Sequence, residues 1–92
     1  MVKKDIIRNI SSNLGIDEED IKVIVDSFMR EVNEGIGQGE NIYLRGFGTF
    51  SLKSMKSKIG QDMIRGEQII IPAQKKLYFK AGKELQERIK KL

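Results

Sequence analysis

The side chains of this chain that are best suited to bind a ligand are its lysines and arginines, which are concentrated in the second half. Between residues 53 and 83 there are eight cations and only two acids. The eight cations are Lys53, Lys56, Lys58, Arg65, Lys75, Lys76, Lys80 and Lys83. Positive side chains at this density bind phosphate groups, so the segment predicts contact with a polyanion.

The two halves of the chain carry net charges of opposite sign. Residues 1–44 hold five cations and nine acids (net −4), whereas residues 45–92 hold twelve cations and four acids (net +8). This polarity indicates a positive surface and an anionic partner. Nucleic acid fits better than a membrane, because the basic sequence reads as strand rather than as amphipathic helix. A simpler interpretation is that lysine-rich strands only protect a sheet edge from aggregation.

Catalysis and metal binding find little support in the sequence. The chain contains no histidine and no cysteine, and four of its acids lie together at residues 17–20, a predicted helix start. Gly37-Gln38-Gly39 and Gly46-Phe47-Gly48 lack the following Lys-Ser/Thr of a phosphate-binding loop. We therefore expect no enzymatic activity, no cofactor, no metal and no small-molecule substrate.

Length and composition indicate one small domain that is stabilised by dimerisation. Ninety-two residues with 39% hydrophobic content build a modest core, and no cysteine is present to form a disulfide. No apolar run approaches the roughly 20 residues needed to cross a bilayer. The charged N-terminal sequence does not resemble a signal peptide. We expect a cytoplasmic protein without a membrane partner.

Two helices are predicted before any strand. A stripe of apolar residues predicts a helix over residues 3–14, which Gly15 ends. A second helix begins after Asp17, whose side chain is suited to an N-cap. Its apolar positions from Ile21 to Ile36 repeat about every 3.6 residues. Glycines then weaken the helix between residues 35 and 38.

The pattern then changes to strands and ends in a helix. We predict three strands, at residues 42–45, 50–59 and 67–80. A loop from Gly60 to Gly66 separates the last two strands, and a closing helix covers residues 83–92. The fold class is therefore α+β, with the element order α-α-β-β-β-α.

The sequence Arg45-Gly46-Phe47-Gly48 has two interpretations. It matches the start of the RNA-recognition-module signature, in which aromatic residues of a sheet stack on the bases of single strands. That module has the order β-α-β-β-α-β, whereas two helices come first here, and Thr49 stands where the module has an aromatic residue. The second interpretation is a tight turn, with Phe47, Phe50 and Phe79 packed in a core.

Several segments together carry a resemblance to a known family. Leu44-Arg45-Gly46-Phe47-Gly48-Thr49-Phe50, Ile71-Pro72-Ala73 and the stretch from Phe79 to Leu85 resemble the HU/IHF family of bacterial histone-like DNA-bending proteins. The resemblance covers nearly all 92 residues without gaps. It implies an intertwined dimer in the nucleoid, in which a β-ribbon arm from each subunit reaches around double-stranded DNA in the minor groove. Such a protein bends or compacts DNA with little sequence specificity.

The resemblance also implies a division of the chain and roles for single residues. Residues 1–92 would form one domain, with a helical dimerisation body (1–40 and 83–92) and a sheet with its arm (41–82). The dimer core would contain Phe28, Phe47, Phe50 and Phe79. The DNA-binding residues would be Lys3, Arg45, Lys53, Lys56, Lys58, Met63, Ile64, Arg65, Lys75, Lys76, Lys80 and Lys83.

The resemblance implies different roles for different side chains in this set. Lysines along the arm would contact phosphates, as would Lys3 and Lys83 at helix N-termini. Arg45 would reach into the minor groove. Met63, together with Ile64, would press between base pairs.

The tip of the arm departs from the family pattern. Where the family has Arg-Asn-Pro-x-Thr-Gly, this chain has Gln61-Asp62-Met63-Ile64-Arg65-Gly66, so methionine replaces the proline that inserts between base pairs. Met55 replaces a commonly basic residue, and Ala81 replaces a proline. The altered tip leaves open a protein that keeps the fold and uses its arms for protein contacts. Whether the second subunit is identical or a paralogue also remains open.

Overall fold

A computed structural model describes residues 1–62 and 66–92 of the chain. Within these residues the elements are α1 (Lys3–Leu14), α2 (Glu18–Gly37), β1 (Ile42–Leu44), β2 (Gly48–Met55), β3 (Lys58–Asp62), β4 (Glu67–Ile71), β5 (Gln74–Ala81) and α3 (Lys83–Lys90). Helices, then antiparallel strands, then a final helix confirm the predicted α+β class. The chain separates into two compact units, the helical unit Met1–Gln38 and the sheet unit Gly39–Leu92.

The ends of the first two helices follow from local hydrogen bonding. The Val2 backbone N–H donates to the carboxylate of Asp5 at 2.7 Å, which satisfies one donor at the start of α1. α1 ends at Gly15, whose φ of 68° is the left-handed conformation that glycine adopts without steric cost. α2 begins after Asp17 as predicted, but the Asp17 side chain makes no capping hydrogen bond. Acids at residues 18–20 instead stabilise this helix start through the helix dipole.

The helical unit buries few side chains of its own. Among the described residues, the buried apolar side chains are Ile7 and Ile21, which are 7% and 4% exposed. Further along α2, Ile24, Phe28 and Met29 are all more than half exposed. A helix pair that leaves this much apolar surface uncovered has not completed its core.

The sheet unit is organised by a three-stranded antiparallel sheet in the order β1-β2-β5. The predicted turn between β1 and β2 is confirmed, with Gly46 at a φ of 82° and the Phe47 N–H donating to the Leu44 carbonyl at 2.9 Å. Gly48 then begins β2. A Cβ atom at Gly48 would lie 2.6 Å from the carbonyl oxygen of Lys80. A residue without a side chain is therefore needed for β2 to approach β5 this closely.

Strands β2 to β5 form a hairpin ribbon with two segments. In the base segment β2 pairs with β5, from Gly48–Ala81 to Met55–Gln74. In the outer segment β3 pairs with β4, from Lys58–Ile71 to Asp62–Glu67. The register is the same in both segments, so the outer segment continues the base segment in the same alignment.

Both strands of the ribbon leave the ladder at the same level. The interruption comprises residues 56–57 on one strand and 72–73 on the other. Pro72 has no N–H to donate, which explains the break on its own strand. The predictions of unbroken strands at 50–59 and 67–80 were therefore wrong at this point. The predicted loop at 60–66 was also too long, because β3 continues to Asp62.

The closing helix α3 is joined directly to the sheet. The Gly82 N–H donates to the Phe47 carbonyl at 2.8 Å, and Gln86 Nε2 donates to the Ala81 carbonyl at 2.9 Å. A Cβ atom at Gly82 would lie 3.2 Å from the Phe47 carbonyl oxygen, so the small residue keeps this junction tight. The predicted helix over residues 83–92 is confirmed as far as Lys90.

Candidate nucleic-acid interface

Alternation along the strands gives the base segment one apolar face. Phe50 pairs with Phe79, and Leu52 pairs with Leu77. The ring of Phe79 lies 4.9 Å from the ring of Phe50 and 5.4 Å from the ring of Phe47. Offset and tilted aromatic pairs at these distances are favourable. This aromatic cluster fixes which face is apolar, and thereby places the alternate residues on the other face.

The other face of the base segment is polar and positively charged. Lys53 pairs with Lys76, and Thr49 pairs with Lys80. Like charges that face each other directly across a ladder repel. The Nζ atom of Lys53 also lies 5.0 Å from the centre of the Tyr78 ring, within the range of a cation–π contact. Two lysines therefore face each other across the ladder on this surface, and a bound anion would offset the repulsion between their charges.

The remaining lysines of the ribbon are spread along its length. Lys75 pairs with Ser54 on the apolar side of the base segment, close to the interruption. Lys56 lies in the interruption itself, and Lys58 is the first residue of β3. The structure therefore brings Lys53, Lys76 and Lys80 together on the polar face, and it separates the other predicted phosphate contacts from that group.

Lys3 is at the start of α1 as predicted, but its ammonium group is already paired. Lys3 Nζ lies 2.7 Å from Asp26 Oδ1, and both side chains are partly exposed. The hydrogen bond from Lys3 lowers the pKa of the Asp26 carboxyl below its usual value, so this carboxylate is ionised at neutral pH. Between side chains that the structure describes, a second ion pair joins Lys90 to Glu87 at 3.4 Å, and neither pair includes a lysine of the ribbon.

The other predicted DNA contacts lie at the ends of the ribbon. Arg45 is in the turn before β2, and Lys83 is the first residue of α3. The Glu84 carboxylate is beside the same turn, since a Cβ atom at Gly46 would lie 3.4 Å from its Oε2. The predicted tip residues Met63, Ile64 and Arg65 are outside the described residues.

The phenylalanines predicted for the dimer core fall in two places. Phe47, Phe50 and Phe79 form the aromatic cluster of the sheet unit. Phe28 lies in the helical unit, where it lines an apolar groove of about 570 Å³ between α1 and α2. The groove is lined by Lys3, Ile6, Ile10, Ile24, Val25, Phe28 and Met29.

Two features of the ribbon were missed at the level of sequence. The contact between Lys53 and Tyr78 depends on the strand register, which no local pattern specifies. The outer segment also exposes Ile59 and Ile70, which face each other across the ladder. The run Ile69-Ile70-Ile71 contains a signal for this exposure, because consecutive strand residues point to opposite faces of a two-stranded ribbon.

The element order bears on the alternative of an RNA-recognition module. That module begins with a strand, whereas two helices precede the first strand here. Within residues 1–62 and 66–92, no helix is long and apolar enough to cross a membrane. Over the same described part of the chain, no group of three or more acidic, histidine or cysteine side chains is arranged to hold a metal ion.

Comparison with known proteins gives consistent matches over the whole chain. A family model described as "Bacterial DNA-binding protein" matches residues 1–90. The chain is 38% identical to integration host factor subunit beta of Histophilus somni, over 97% of this chain and 96% of that protein. It is 33% identical to DNA-binding protein HU of Thermus thermophilus, over 99% of this chain and 94% of that one. The fold is similar to that of Anabaena HU in a cocrystal structure with DNA, with a TM-score of 0.89 and 22% identity over 97% of both chains.

Proposed function

The chain belongs to the bacterial DNA-binding protein family of HU and integration host factor, and we propose that it bends double-stranded DNA as an architectural protein of the nucleoid. It binds in the minor groove with little sequence preference. The observation that carries this proposal is the polar face of the base segment, where Lys53 and Lys76 are side by side. Phosphate oxygens of a duplex offset the repulsion between these ammonium groups.

The contacts divide into those that hold the DNA backbone and those that deform the duplex. The ribbon lysines contact phosphates over the length of the arm, and Lys83 does so at the start of α3. Arg45 enters the minor groove, where arginine is a frequent ligand. At the tip, Met63 and Ile64 press between base pairs and Arg65 holds the adjoining backbone. Phosphate contacts of this kind are independent of sequence, which accounts for the low specificity.

The functional unit that we propose is a dimer of identical or paralogous chains, in which residues 1–92 act as one DNA-binding domain. The helical unit supports this proposal, because its apolar groove includes Phe28, which is 51% exposed. The sheet unit supports it as well, since Phe47 and Phe79 remain partly exposed in the single chain. A small chain without disulfides completes its core by association with a second copy.

Titration of duplex DNA at several salt concentrations tests the proposal. If about eight phosphates are neutralised, the logarithm of the binding constant should fall with the logarithm of salt at a slope near −7. Random-sequence duplexes with a fluorescent donor and acceptor at their ends report bending in the same titration, because bending shortens the distance between the dyes. We expect energy transfer to rise as the duplex saturates.

Two comparisons make the titration decisive. Single-stranded DNA and RNA of the same sequence should bind more weakly than the duplex. A preference for single strands would favour the RNA-binding alternative, and a salt slope near zero with every nucleic acid would favour the use of the arms for protein contacts. Analytical ultracentrifugation of the free protein should give the mass of a dimer.

A further inference from the structure

The outer segment of the ribbon has one face on which charged and apolar side chains follow each other along the strands. Ile69 and Ile71 lie over Gly60 on this face, since a Cβ atom at Gly60 would lie 2.9 Å from Ile71 Cδ1 and 3.7 Å from Ile69 Cγ1. Lys58 pairs with Ile71 at the end near the base segment, and Glu67 is at the end near the tip. These residues form the charged face of the outer segment, which is positive at one end, apolar in the middle and negative at the other end.

The two charges of this face are too far apart to neutralise each other. Lys58 and Glu67 are four ladder positions apart, which is about 13 Å at the rise of an antiparallel strand. The ladder partner of Glu67 is Asp62, a second acid. Both ion pairs between side chains that the structure describes are on helices. In the described part of the chain, Lys58 and Glu67 are therefore exposed charges without an ionic partner.

The opposite face of the outer segment carries no charge in the pairs that the structure describes. It consists of Ile59 paired with Ile70 and Gln61 paired with Gln68. In the alternation of the strands, this uncharged face follows the polar face of the base segment, because both strands have the same number of residues in the interruption. When the polar face binds DNA, the uncharged face is on the side of the duplex, and the charged face is directed away from it.

We propose, on the basis of the DNA binding proposed above, that the charged face binds the charged face of a second copy and so links two DNA-bound proteins. In a twofold-symmetric contact between antiparallel ribbons, the axis passes at the level of Gly60 and Ile69, midway between the two charges. Lys58 of each copy then lies at the level of Glu67 of the other, and Ile69 packs against Ile69. A parallel overlap would bring like charges together.

Charge distribution explains why the occupant is a second copy and why DNA is needed. Residues 39–92 hold twelve cations and five acids, so most surfaces of the sheet unit repel each other. The charged face is an exception, because opposite charges meet there. The contact is much smaller than a standard interface of about 1,600 Å², so it is too weak to form between free proteins. Proteins bound to neighbouring duplexes have a high effective concentration, which compensates for this weakness.

Capture of one duplex by another tests for such links. One duplex is fixed to beads and a second duplex carries a fluorescent dye. Both are saturated with protein before they are mixed, so that no vacant DNA remains for a single protein to bridge. Each variant is used at the concentration that saturates its duplex, which removes differences in DNA affinity. We expect the beads to retain the fluorescent duplex.

Exchange of the two charges shows whether the charged face makes the link. In Glu67→Lys and in Lys58→Glu, both ion pairs of the symmetric contact become repulsive, so retention should fall about tenfold. The double variant with both substitutions restores opposite charges at each position, and it should recover at least about half of the retention. The matched control is Glu87→Lys, which makes the same change in charge on α3 and should keep full retention. Undiminished retention in Glu67→Lys, or no recovery in the double variant, would overturn the proposal.

Two neighbouring isoleucines distinguish the faces of the ribbon. Ile69→Thr and Ile70→Thr both keep a β-branched side chain in β4. Ile69 is on the charged face, and its apolar contact is lost in both copies, so retention should fall about fivefold in Ile69→Thr. Ile70 is on the uncharged face, and Ile70→Thr should keep full retention. Equal losses in the two variants would also contradict the proposed contact.

This proposal and the proposed function fail in different ways. A protein that shows the expected salt slope and bending but retains no fluorescent duplex still binds and bends DNA, and only the link between copies is wrong. A protein that shows no salt-dependent binding to any duplex contradicts DNA binding itself.

Discussion

The helical unit and the sheet unit hold their positive side chains in opposite ways. In the helical unit, Lys3 lies 2.7 Å from the carboxylate of Asp26. In the sheet unit, Lys53 faces Lys76 across the ladder and lies 5.0 Å from the centre of the Tyr78 ring. The first ammonium group has a carboxylate partner in the folded chain, whereas the second belongs to a lysine that is paired with another lysine across the ladder. The number of lysines alone therefore does not identify a phosphate-binding surface. The partner of each lysine in the folded chain must also be known.

Composition and packing both contribute to this difference. Residues 1–38 hold five cations and eight acids, whereas residues 39–92 hold twelve cations and five acids. Acidic partners are therefore abundant only in the helical unit. In the sheet unit, the aromatic cluster around Phe79 fixes the apolar face of the base segment and collects lysines on the other. The same packing that builds this sheet creates its concentration of charge.

The largest expected effect comes from a substitution that destabilises the base segment itself. In Gly48→Ala, the new Cβ atom would lie 2.5 Å from the Phe79 ring and 2.6 Å from the Lys80 carbonyl oxygen. Neither neighbour can move without disturbing the aromatic cluster or the ladder. We expect a loss of about 3 kcal/mol in the free energy of unfolding, measured by denaturant titration, with weaker DNA binding as a consequence.

The matched control for this substitution is Gly60→Ala in the outer segment. There the Cβ atom would lie 2.9 Å from Ile71 Cδ1, the end of a flexible side chain that can rotate away. Neither glycine has a positive φ, so backbone strain does not distinguish the two positions. We expect a loss below about 1 kcal/mol for Gly60→Ala. Equal losses at the two glycines would show that the close approach of β2 to β5 is not what Gly48 provides.

The contrast between the helical unit and the sheet unit also explains which features of the fold were predictable from sequence. The bounds of α1 and the start of α2 depend on short-range signals, namely apolar periodicity, Gly15 and the acids after Asp17, and they were predicted correctly. The interruption of the ribbon was missed, although Pro72 marks one of its strands. Both strands leave the ladder together only because of their register, and register depends on residues far apart in sequence.

The candidate site likewise has features that composition predicts and features that depend on contacts between residues far apart in sequence. A positive surface in the second half of the chain was predictable, because net charge is a property of composition. The pairing of Lys3 with Asp26 was not, since it joins residues 23 positions apart through the packing of two helices. The contact of Lys53 with Tyr78 was missed for the corresponding reason in a sheet. Sequence located the cations, and tertiary structure determined which of them are paired.

A second prediction concerns the lysines of the polar face. In Lys53→Gln with Lys76→Gln, about two phosphate contacts are lost, so the salt slope should become shallower by about 1.8. At moderate salt, affinity for duplex DNA should fall about tenfold. Stability should change by less than about 0.5 kcal/mol, because the removed cross-strand repulsion is offset by loss of the cation–π contact between Lys53 and Tyr78. Fluorescence titrations and thermal unfolding measure the two effects separately.

A control variant with the same change in net charge tests whether position matters. Lys90→Gln with Lys91→Gln removes two cations at the end of α3, where Lys90 is already paired with Glu87. We expect the salt slope of this variant to remain within about 0.5 of the original. A loss equal to that of the ribbon variant would mean that overall charge, and not the polar face, determines binding.

The smallest expected effect concerns the paired cation of the helical unit. Asp26→Asn leaves Lys3 without its carboxylate partner. If Lys3 lies near the DNA backbone, affinity should rise about twofold and the salt slope should steepen by up to about 0.9, because one more ammonium group can contact a phosphate. Glu87→Gln makes the same change in charge and releases Lys90 on α3, so it is the matched control and should leave both quantities unchanged.

The acid dependence of stability provides an independent check on the same pair. The Lys3 hydrogen bond lowers the pKa of Asp26, so the pair stabilises the folded state above the ordinary carboxyl pKa, and this contribution is lost as pH falls through the lowered value. Thermal unfolding should therefore show a smaller acid-dependent loss in Asp26→Asn than in the unmodified chain. If that loss decreases while DNA affinity stays constant, the pair exists but Lys3 lies away from the duplex. The helical unit would then contribute to folding alone, and the sheet unit would supply all of the phosphate binding.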